Sequence, residues 1–202
     1  STKKAQILVG TQMVTKGLDF KDVQMVAVLN ADALINFPDF RSNERAFNML
    51  EQVAGRAGRR TGIHGSVVIQ TYQPAHHIIS YVRAHDYDAY YNHEIDERHK
   101  FFYPPFTRII YVYMKHRDPS RLRLIADAYA EKLRTLLGQR VFGPEEPAIG
   151  RVQGLYIRKI MLKIEISASM TKIKELLRHT YIEMHALPQM KGVIVYYDVD
   201  PQ

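Results

Sequence analysis

The stretch "QVAGRAGRR" (residues 52–60) sets Arg56 and Arg59 three residues apart, each preceded by a glycine, with Arg60 directly behind. Like charges at this spacing on a helix cost roughly a few tenths of a kcal/mol, so a negative partner is expected there. Glycine lets the backbone approach a ligand closely, and guanidinium forks grip phosphate oxygens bidentately. A triphosphate losing its γ-phosphoryl group needs such charge at the transition state, where an arginine finger contributes on the order of 10³–10⁵ in rate. The same residues also suit a basic loop at a helix end, where the helix dipole favours cations.

A second stretch, "ILVGTQMVTKGLDF" (7–20), offers a hydroxyl (Thr11), an ammonium (Lys16) and a carboxylate (Asp19) within nine residues. It reads as a strand followed by a polar turn, and ligands bind where loops leave the C-terminal ends of parallel strands. "GTQMVTKG" imitates a phosphate loop but is not one: Thr15 stands where that loop needs glycine, and Gly17 where it needs Ser or Thr.

Near the other end, Arg151, Tyr156, Arg158, Lys159 and Lys163 interleave an aromatic ring with positive charge. Such a surface can stack a base and follow a phosphate backbone, and it can equally be an ordinary solvated strand face. Alternation puts Ile160, Leu162, Ile164 and Ile166 inward and Lys159, Lys163 and Glu165 outward and exposed. Tyr156 and Arg158 fall on the apolar parity unless a bulge near Gly154 shifts them. Nine histidines, His76, His77, His85, His93 and His99 among them, form no coherent metal-ligand pattern, and no metal site is expected. Tyr81, Tyr87, Tyr90 and Tyr91 read as packing within a helical connector.

The elements that position these residues follow from hydrophobic patterning. "AQILVG" (5–10), "VQMVAVLNAD" (23–32) and "GSVVIQTY" (65–72) are apolar, β-branched runs that read as buried strands. A helix from Arg41 to about Val53 separates the last two, with Phe47, Leu50 and Val53 at helical spacing. Strands alternating with a helix imply a parallel sheet covered on both faces. The sheet is small and starts almost at once, so the reading expects further strands upstream.

Residues 74–100 form a Tyr- and acid-rich helical connector closed by "YPPF" (103–106), where Pro104 and Pro105 stop the helix. Beyond it come a strand (107–116), a helix opened by Asp118 and Pro119 and closed at Gly138, a short strand (140–145), a strand over 154–167, a helix (171–186) and a last strand (192–200). That β-α-β-β-α-β order is ferredoxin-like. The expected organisation is α/β over 1–74, a connector over 75–106 and an α+β domain over 107–202.

The bulk numbers agree with a globular chain: 202 residues, 46% hydrophobic and 24% charged, net charge +7. Lys and Arg number nine against six acids in 1–74, three against five in 75–106, and sixteen against ten in 107–202. Basic flanks suit a polyanion such as nucleic acid. The chain has no cysteine, which excludes disulfides and thiolate metal sites within it. Without a signal peptide or an apolar run of about 18 residues, it reads as cytoplasmic, with no membrane partner.

Taken together and in this order, the first two stretches resemble motifs V and VI of superfamily 2 helicases. "GTQMVTKGLDFKDV", "DFRSNERAF", "EQVAGRAGRR", "YPPF" and the terminal "YYDVDP" are similar to the C-terminal part of the primosomal replication-restart helicase family, primosomal protein N′. The resemblance implies half of a RecA-like helicase lobe 2 followed by the family's C-terminal domain. It places Gln52, Arg56 and Arg59 in motif VI, facing the γ-phosphate across an inter-lobe cleft. Gly17 and Asp19 then contact the nucleotide ribose, Thr11 touches the DNA backbone and Lys16 assists. Arg60 lies beyond the motif and receives no role.

ATP and Mg²⁺ would be bound mainly by lobe 1, which this sequence does not contain. Zinc would belong to a cysteine-rich segment of the parent protein rather than to this chain. The implied partners are single-stranded and forked DNA, the primosome and single-strand-binding proteins. The implied activity is ATP-driven 3′→5′ unwinding in replication restart and primosome assembly at stalled forks, with these 202 residues inactive alone. Two other readings fit the residues: a stand-alone nucleic-acid-binding module without ATPase activity, and another superfamily 2 translocase.

Overall fold

The computed structural model describes residues 7–11, 23–55, 57 and 65–201, and the chain divides into two compact units, Ser1–Ile95 and Asp96–Gln202. In the first unit, β1 (Met25–Val28) and β2 (Ser66–Ile69) pair in parallel, Met25 opposite Ser66 and Val28 opposite Ile69. Helices α1 (Asp32–Ile35) and α2 (Ser42–Ala54) lie between them in sequence, and α3 (His77–Ala84) follows, then α4 (Tyr87–Lys100), whose residues up to Ile95 belong to this unit. The 3.6-residue spacing of α2 buries Ala46, Phe47, Leu50 and Val53 on one side. There Phe47 and Leu50 meet Ile78, Ile79 and Val82 of α3 and Tyr90 of α4, with Val28 and Ile69 of the sheet closing the cluster. Tyr90 stacks on Phe47 with ring centroids 4.0 Å apart and the planes 5° from parallel. Beyond the strand ends, the Asp32 carboxylate accepts from Thr71 Oγ1 (2.8 Å) and the Tyr72 N–H (2.9 Å). The Tyr72 N–H first and the Thr71 hydroxyl second hold its pKa below the usual carboxylate value.

Two expectations for this unit are corrected. Residues 7–11 adopt no regular secondary structure, and Ile7, Leu8 and Val9 are exposed; residues 5 and 6 of that expected strand lie outside the described residues. A strand needs a partner for its backbone groups, and the described ladder of this unit is β1 with β2 alone. The sheet is also not covered on both faces among the described residues. The helices pack on the Val28 and Ile69 side, while Met25 and Val68 on the other face are 61% and 49% exposed.

The second unit contains β3 (Thr107–His116), α5 (Pro119–Leu137), β4 (Val141–Glu145), β5 (Arg151–Val152), β6 (Leu155–Glu165), α6 (Met170–His185) and β7 (Ile194–Val199), with short 3₁₀ turns at Gly138–Arg140 and Pro188–Met190. The sheet runs β4-β6-β3-β7, every neighbour antiparallel, and β5 folds back on β6. α5 begins where the sequence predicts. Asp118 accepts from the Ser120 and Arg121 N–H groups at 2.9 and 3.0 Å, Pro119 opens the helix, and Gly138 ends it at φ 62°, a conformation that favours glycine. Pro144 sits on the edge strand β4, where its missing N–H costs no ladder bond.

One face of this sheet is the core. Ile110, Val112 and Met114 of β3 and Ile160, Leu162 and Ile164 of β6 pack against Leu122, Ile125, Ala126, Tyr129 and Leu133 of α5, with Leu177 and Met184 of α6 joining them. Within it the Tyr129 and Tyr197 hydroxyls lie 2.6 Å apart, and Tyr197 reaches the Leu177 carbonyl at 3.2 Å. Burial pushes the pKa of both phenols up. Ile166, expected inward, is 58% exposed. β6 ends at Glu165, and the Ala168 N–H donates to the Glu165 carbonyl, so the chain has turned out of the strand period. No helix among the described residues is long and apolar enough to cross a membrane.

Three histidines of the first unit, His76, His77 and His93, make a packed column. His76 stands at the N-cap of α3, its Nδ1 accepting from the Ile78 N–H at 3.3 Å. Its ring stacks on His77 (4.3 Å), which stacks on His93 (4.5 Å). His77 Nε2 is buried with no hydrogen-bond partner. Burial first, then the neighbouring His76 and His93, pull the His77 pKa down to about 4. An unfolded chain protonates this histidine near its ordinary value of about 6.5, so it binds the proton more tightly than the folded one does. The stabilisation is complete above about pH 6.5 and declines as pH falls toward 4. Denaturant midpoints for the first unit should therefore drop between pH 7.5 and 5, and His77→Phe, which keeps the stack without titrating, should reduce that drop.

Candidate nucleic-acid interface

Of the nucleotide-facing set, the described residues include Gln52 alone. It lies on the exposed side of α2, opposite Phe47, Leu50 and Val53. The helix stops at Ala54, and the Gly55 N–H at its end donates to the Glu51 and Val53 carbonyls, in agreement with glycine breaking the helix. Arg56, Arg59, Lys16, Gly17 and Asp19 lie outside the described residues. Thr11 is described and exposed.

The C-terminal set is fully described, and the sheet splits it. The β3–β6 register runs unbroken from Thr107 opposite Glu165 to His116 opposite Tyr156, so no bulge shifts the parity. Tyr156 and Arg158 share the helix-facing side with Ile160 and Leu162; Tyr156 packs against the core there, with the Arg151 guanidinium 4.7 Å from its ring centroid. Arg158 points into a polar niche shared with Arg123 and Asp127 of α5 and Pro144, its Nη2 3.9 Å from Glu146.

Lys159 and Lys163 lie on the opposite, helix-free face. They are not exposed as expected, because each amine has partners inside the unit. Lys159 meets Glu145 at 2.9 Å with its side chain only 13% exposed, and stands 4.6 Å from the Tyr111 ring centroid. Lys163 Nζ donates to the Phe101 carbonyl at 2.7 Å and lies 3.6 Å from the centre of the Tyr103 ring. Burial pulls its pKa below the usual lysine value. The segment that stops α4 therefore also caps one end of this face, held by Thr107 Oγ1 on the Phe102 carbonyl and Arg98 on the Pro104 carbonyl.

Sequence reasoning missed three residues of that face. Tyr113 of β3 and Tyr196 of β7 stack across neighbouring strands, centroids 5.0 Å apart at 17°, and Lys115 Nζ sits 4.8 Å from the Tyr196 ring centroid. The signal was present in "YVYMK" (111–115), where Tyr111, Tyr113 and Lys115 share the parity opposite Val112 and Met114. Among the described residues, no group of three or more His, Asp or Glu is placed to hold a metal ion.

Comparison with known families gives this geometry its context. The family model for the primosomal protein N C-terminal domain matches residues 99–202, half of the chain. The chain belongs to the primosomal protein N family. The helicase conserved C-terminal domain model matches residues 1–61, so the first unit carries a helicase domain and the second the primosomal protein N domain. The chain is 36% identical to the replication restart protein PriA of Bacillus subtilis (strain 168) over 98% of its own length and 24% of that protein. It is 35% identical to the proteins of the same name from Treponema pallidum and Haemophilus influenzae, over 98% of this chain and 29% and 27% of theirs. It thus spans about a quarter of the length of these curated relatives.

The lysine partners on the helix-free face are open to measurement. Lys163→Glu would set a carboxylate against the Phe101 carbonyl and remove the cation from Tyr103, and should destabilise the second unit by about 1–2 kcal/mol in thermal melts. Lys163→Met, which keeps the apolar stem, should lose much less.

Proposed function

We propose that the chain is the C-terminal portion of an ATP-driven 3′→5′ DNA helicase that acts in replication restart and primosome assembly at stalled forks. The observation that carries this reading is the succession, in one chain, of a helicase C-terminal domain and a primosomal protein N C-terminal domain. The names of the relatives support it: all of those compared are replication restart proteins.

In this reading residues 1–74 are part of a RecA-like lobe 2, residues 75–106 a connector and residues 107–202 a ferredoxin-like domain; the parallel β1–β2 pair and the antiparallel order β4-β6-β3-β7 support the two fold assignments. Arg56 and Arg59, with Gln52, face the γ-phosphate of ATP, and Gly17 and Asp19 the ribose. Mg²⁺ and most of the nucleotide contacts belong to the other lobe, and zinc to another segment of the longer protein. Thr11 and Lys16 touch the DNA backbone. In the second unit, Tyr156 and Arg158 serve one surface and Lys159 and Lys163 another, since the sheet separates them. Single-stranded and forked DNA are the substrates, the primosome and single-strand-binding proteins the partners, and the cytoplasm the place of action.

The test is kinetic. In the longer protein, Arg56→Ala or Arg59→Ala should lower DNA-stimulated ATP hydrolysis by at least about a hundredfold, as for removal of an arginine finger, with Arg60→Ala much milder. Equal, small losses at all three positions would return the stretch to a basic helix end. A second measurement uses residues 1–202 alone, which should show no DNA-stimulated ATPase; turnover abolished by Arg59→Ala would refute the assignment of the remaining nucleotide contacts to another lobe.

A further inference from the structure

The helix-free face of the second unit has a composition that core packing does not require. β3 contributes Tyr111, Tyr113 and Lys115, β6 Ile157, Lys159 and Lys163, and β7 Ile194 and Tyr196, all of one parity across the register. The face is closed at one end by the Tyr103 segment. At the other, Tyr196 and Ile194 are 38% and 51% exposed, and Tyr196 is stacked with Tyr113.

We propose that this open end is a platform for single-stranded nucleic acid, with bases stacking on the Tyr113–Tyr196 pair and the backbone passing Lys115. The proposal rests on the DNA-translocating reading above and adds where the second unit holds the strand. Every base offers a π-face, so stacking on aromatic rings beside cations binds single strands with little regard to sequence. A duplex keeps those faces hidden between its own base pairs.

Charge decides for nucleic acid over a protein partner. Lys115, Lys159 and Lys163 stand against Glu145, which pairs with Lys159, Asp198, which lies opposite Tyr111, and Glu165, which Arg140 neutralises at 2.7 Å. Protein interfaces are depleted in lysine at their cores, whereas here lysines lie against the rings themselves. Lys115 holds its ring contact through a flexible stem, so its amine can move from the Tyr196 ring to a phosphate when a base takes its place. No Arg, Asn or Gln fork stands among these eight side chains, so base-edge readout is not expected.

The test is a titration of the 202-residue chain against a fluorescent oligothymidylate at several salt concentrations, with thermal melts verifying that each variant folds. Tyr196→Leu should weaken binding about 5- to 150-fold, the range for losing one stacked base, while Tyr196→Phe, which keeps the ring, should bind as the unaltered chain does. Lys115→Gln should flatten the salt slope by about 0.7, one phosphate contact on a single strand. The chain has 13 tyrosines and no tryptophan, so tyrosine emission should be quenched on binding, and less so in Tyr113→Leu.

Unchanged affinity in Tyr196→Leu and Tyr113→Leu, with loss in Arg158→Gln, would move the strand to the helix side and overturn the platform while leaving the DNA reading intact. Self-association abolished by Tyr196→Leu, without oligonucleotide binding, would assign the face to a second copy of the chain. Failure of the chain to bind at low salt would also overturn the platform, whereas the helicase reading answers separately to the Arg56 and Arg59 rates.

Discussion

The second unit depends on a single strand being satisfied on all four of its sides. β3 pairs with β6 along its whole length, from Thr107 to His116, and with β7 from Ile110 to Lys115. Its backbone therefore has partners on both edges. Its two faces are buried by different means: Ile110, Val112 and Met114 by the helices, Ile109 and Tyr111 on the other side. An interior strand of this kind fixes the register of everything around it, because a slip of one residue would send Ile110 and Val112 to the tyrosine face and Tyr111 to the helices. That fixed register is why Tyr113 meets Tyr196 and why Lys163 stands opposite Ile109.

Much of this was legible in the sequence, for reasons that are local. The N-cap Asp118, the Pro119 after it and the Gly138 at the far end each act through the nearest turn of backbone, so the bounds of α5 follow from those residues alone. Ile160, Leu162 and Ile164 announced their buried face through period two, and the alternation of patterns conveyed the order of the elements except for the two-residue β5 (Arg151–Val152), which it missed. What escaped depends on residues distant in sequence. Lys163 looks like any outward lysine until the Phe101 carbonyl, 62 positions away, is brought to its amine. Alternation carried too far misplaced Ile166, because nothing in "IEIS" marks the residue at which pairing ends. In the first unit, an apolar run such as residues 5–10 states that burial is favourable but not that a partner strand is present.

The candidate site was legible to unequal degrees for a related reason. The stretches around Thr11 to Asp19 and Gln52 to Arg59 read as short polar motifs from their residue types alone, and of them Thr11, Gln52 to Gly55 and Ala57 lie among the described residues. The basic and aromatic set near residue 156 is continuous in sequence, yet alternation already puts Tyr156 and Arg158 on the apolar parity and Lys159 and Lys163 on the other, and the unbroken register keeps them there. In a strand, continuity in sequence means alternation in space. Tyr156 and Arg158 went to the helix side and Lys159 and Lys163 to the other, and the rings that accompany those two lysines come from β3, β4 and the segment before β3 rather than from β6.

The manner in which those lysines are held bears on what the face can do. A lysine paired with a carboxylate is neutralised, and its field beyond a few ångströms is small. A lysine held against an aromatic ring is attracted by the ring quadrupole, which carries no net charge; the contact steadies the side chain and leaves the full positive charge to act outward. Lys115 over Tyr196 is of this second kind, whereas Lys163, over Tyr103 with a carbonyl as its hydrogen-bond acceptor, lies at the closed end of the face, where burial lowers its pKa. Lys159 has a carboxylate partner as well as a ring. Arginine in these places would stack more firmly and release less readily, since its planar fork is held by several bonds at once. An ammonium on a four-carbon stem can leave one ring for a phosphate without disturbing the sheet beneath. A face built this way stays positive without being rigidly committed to one partner.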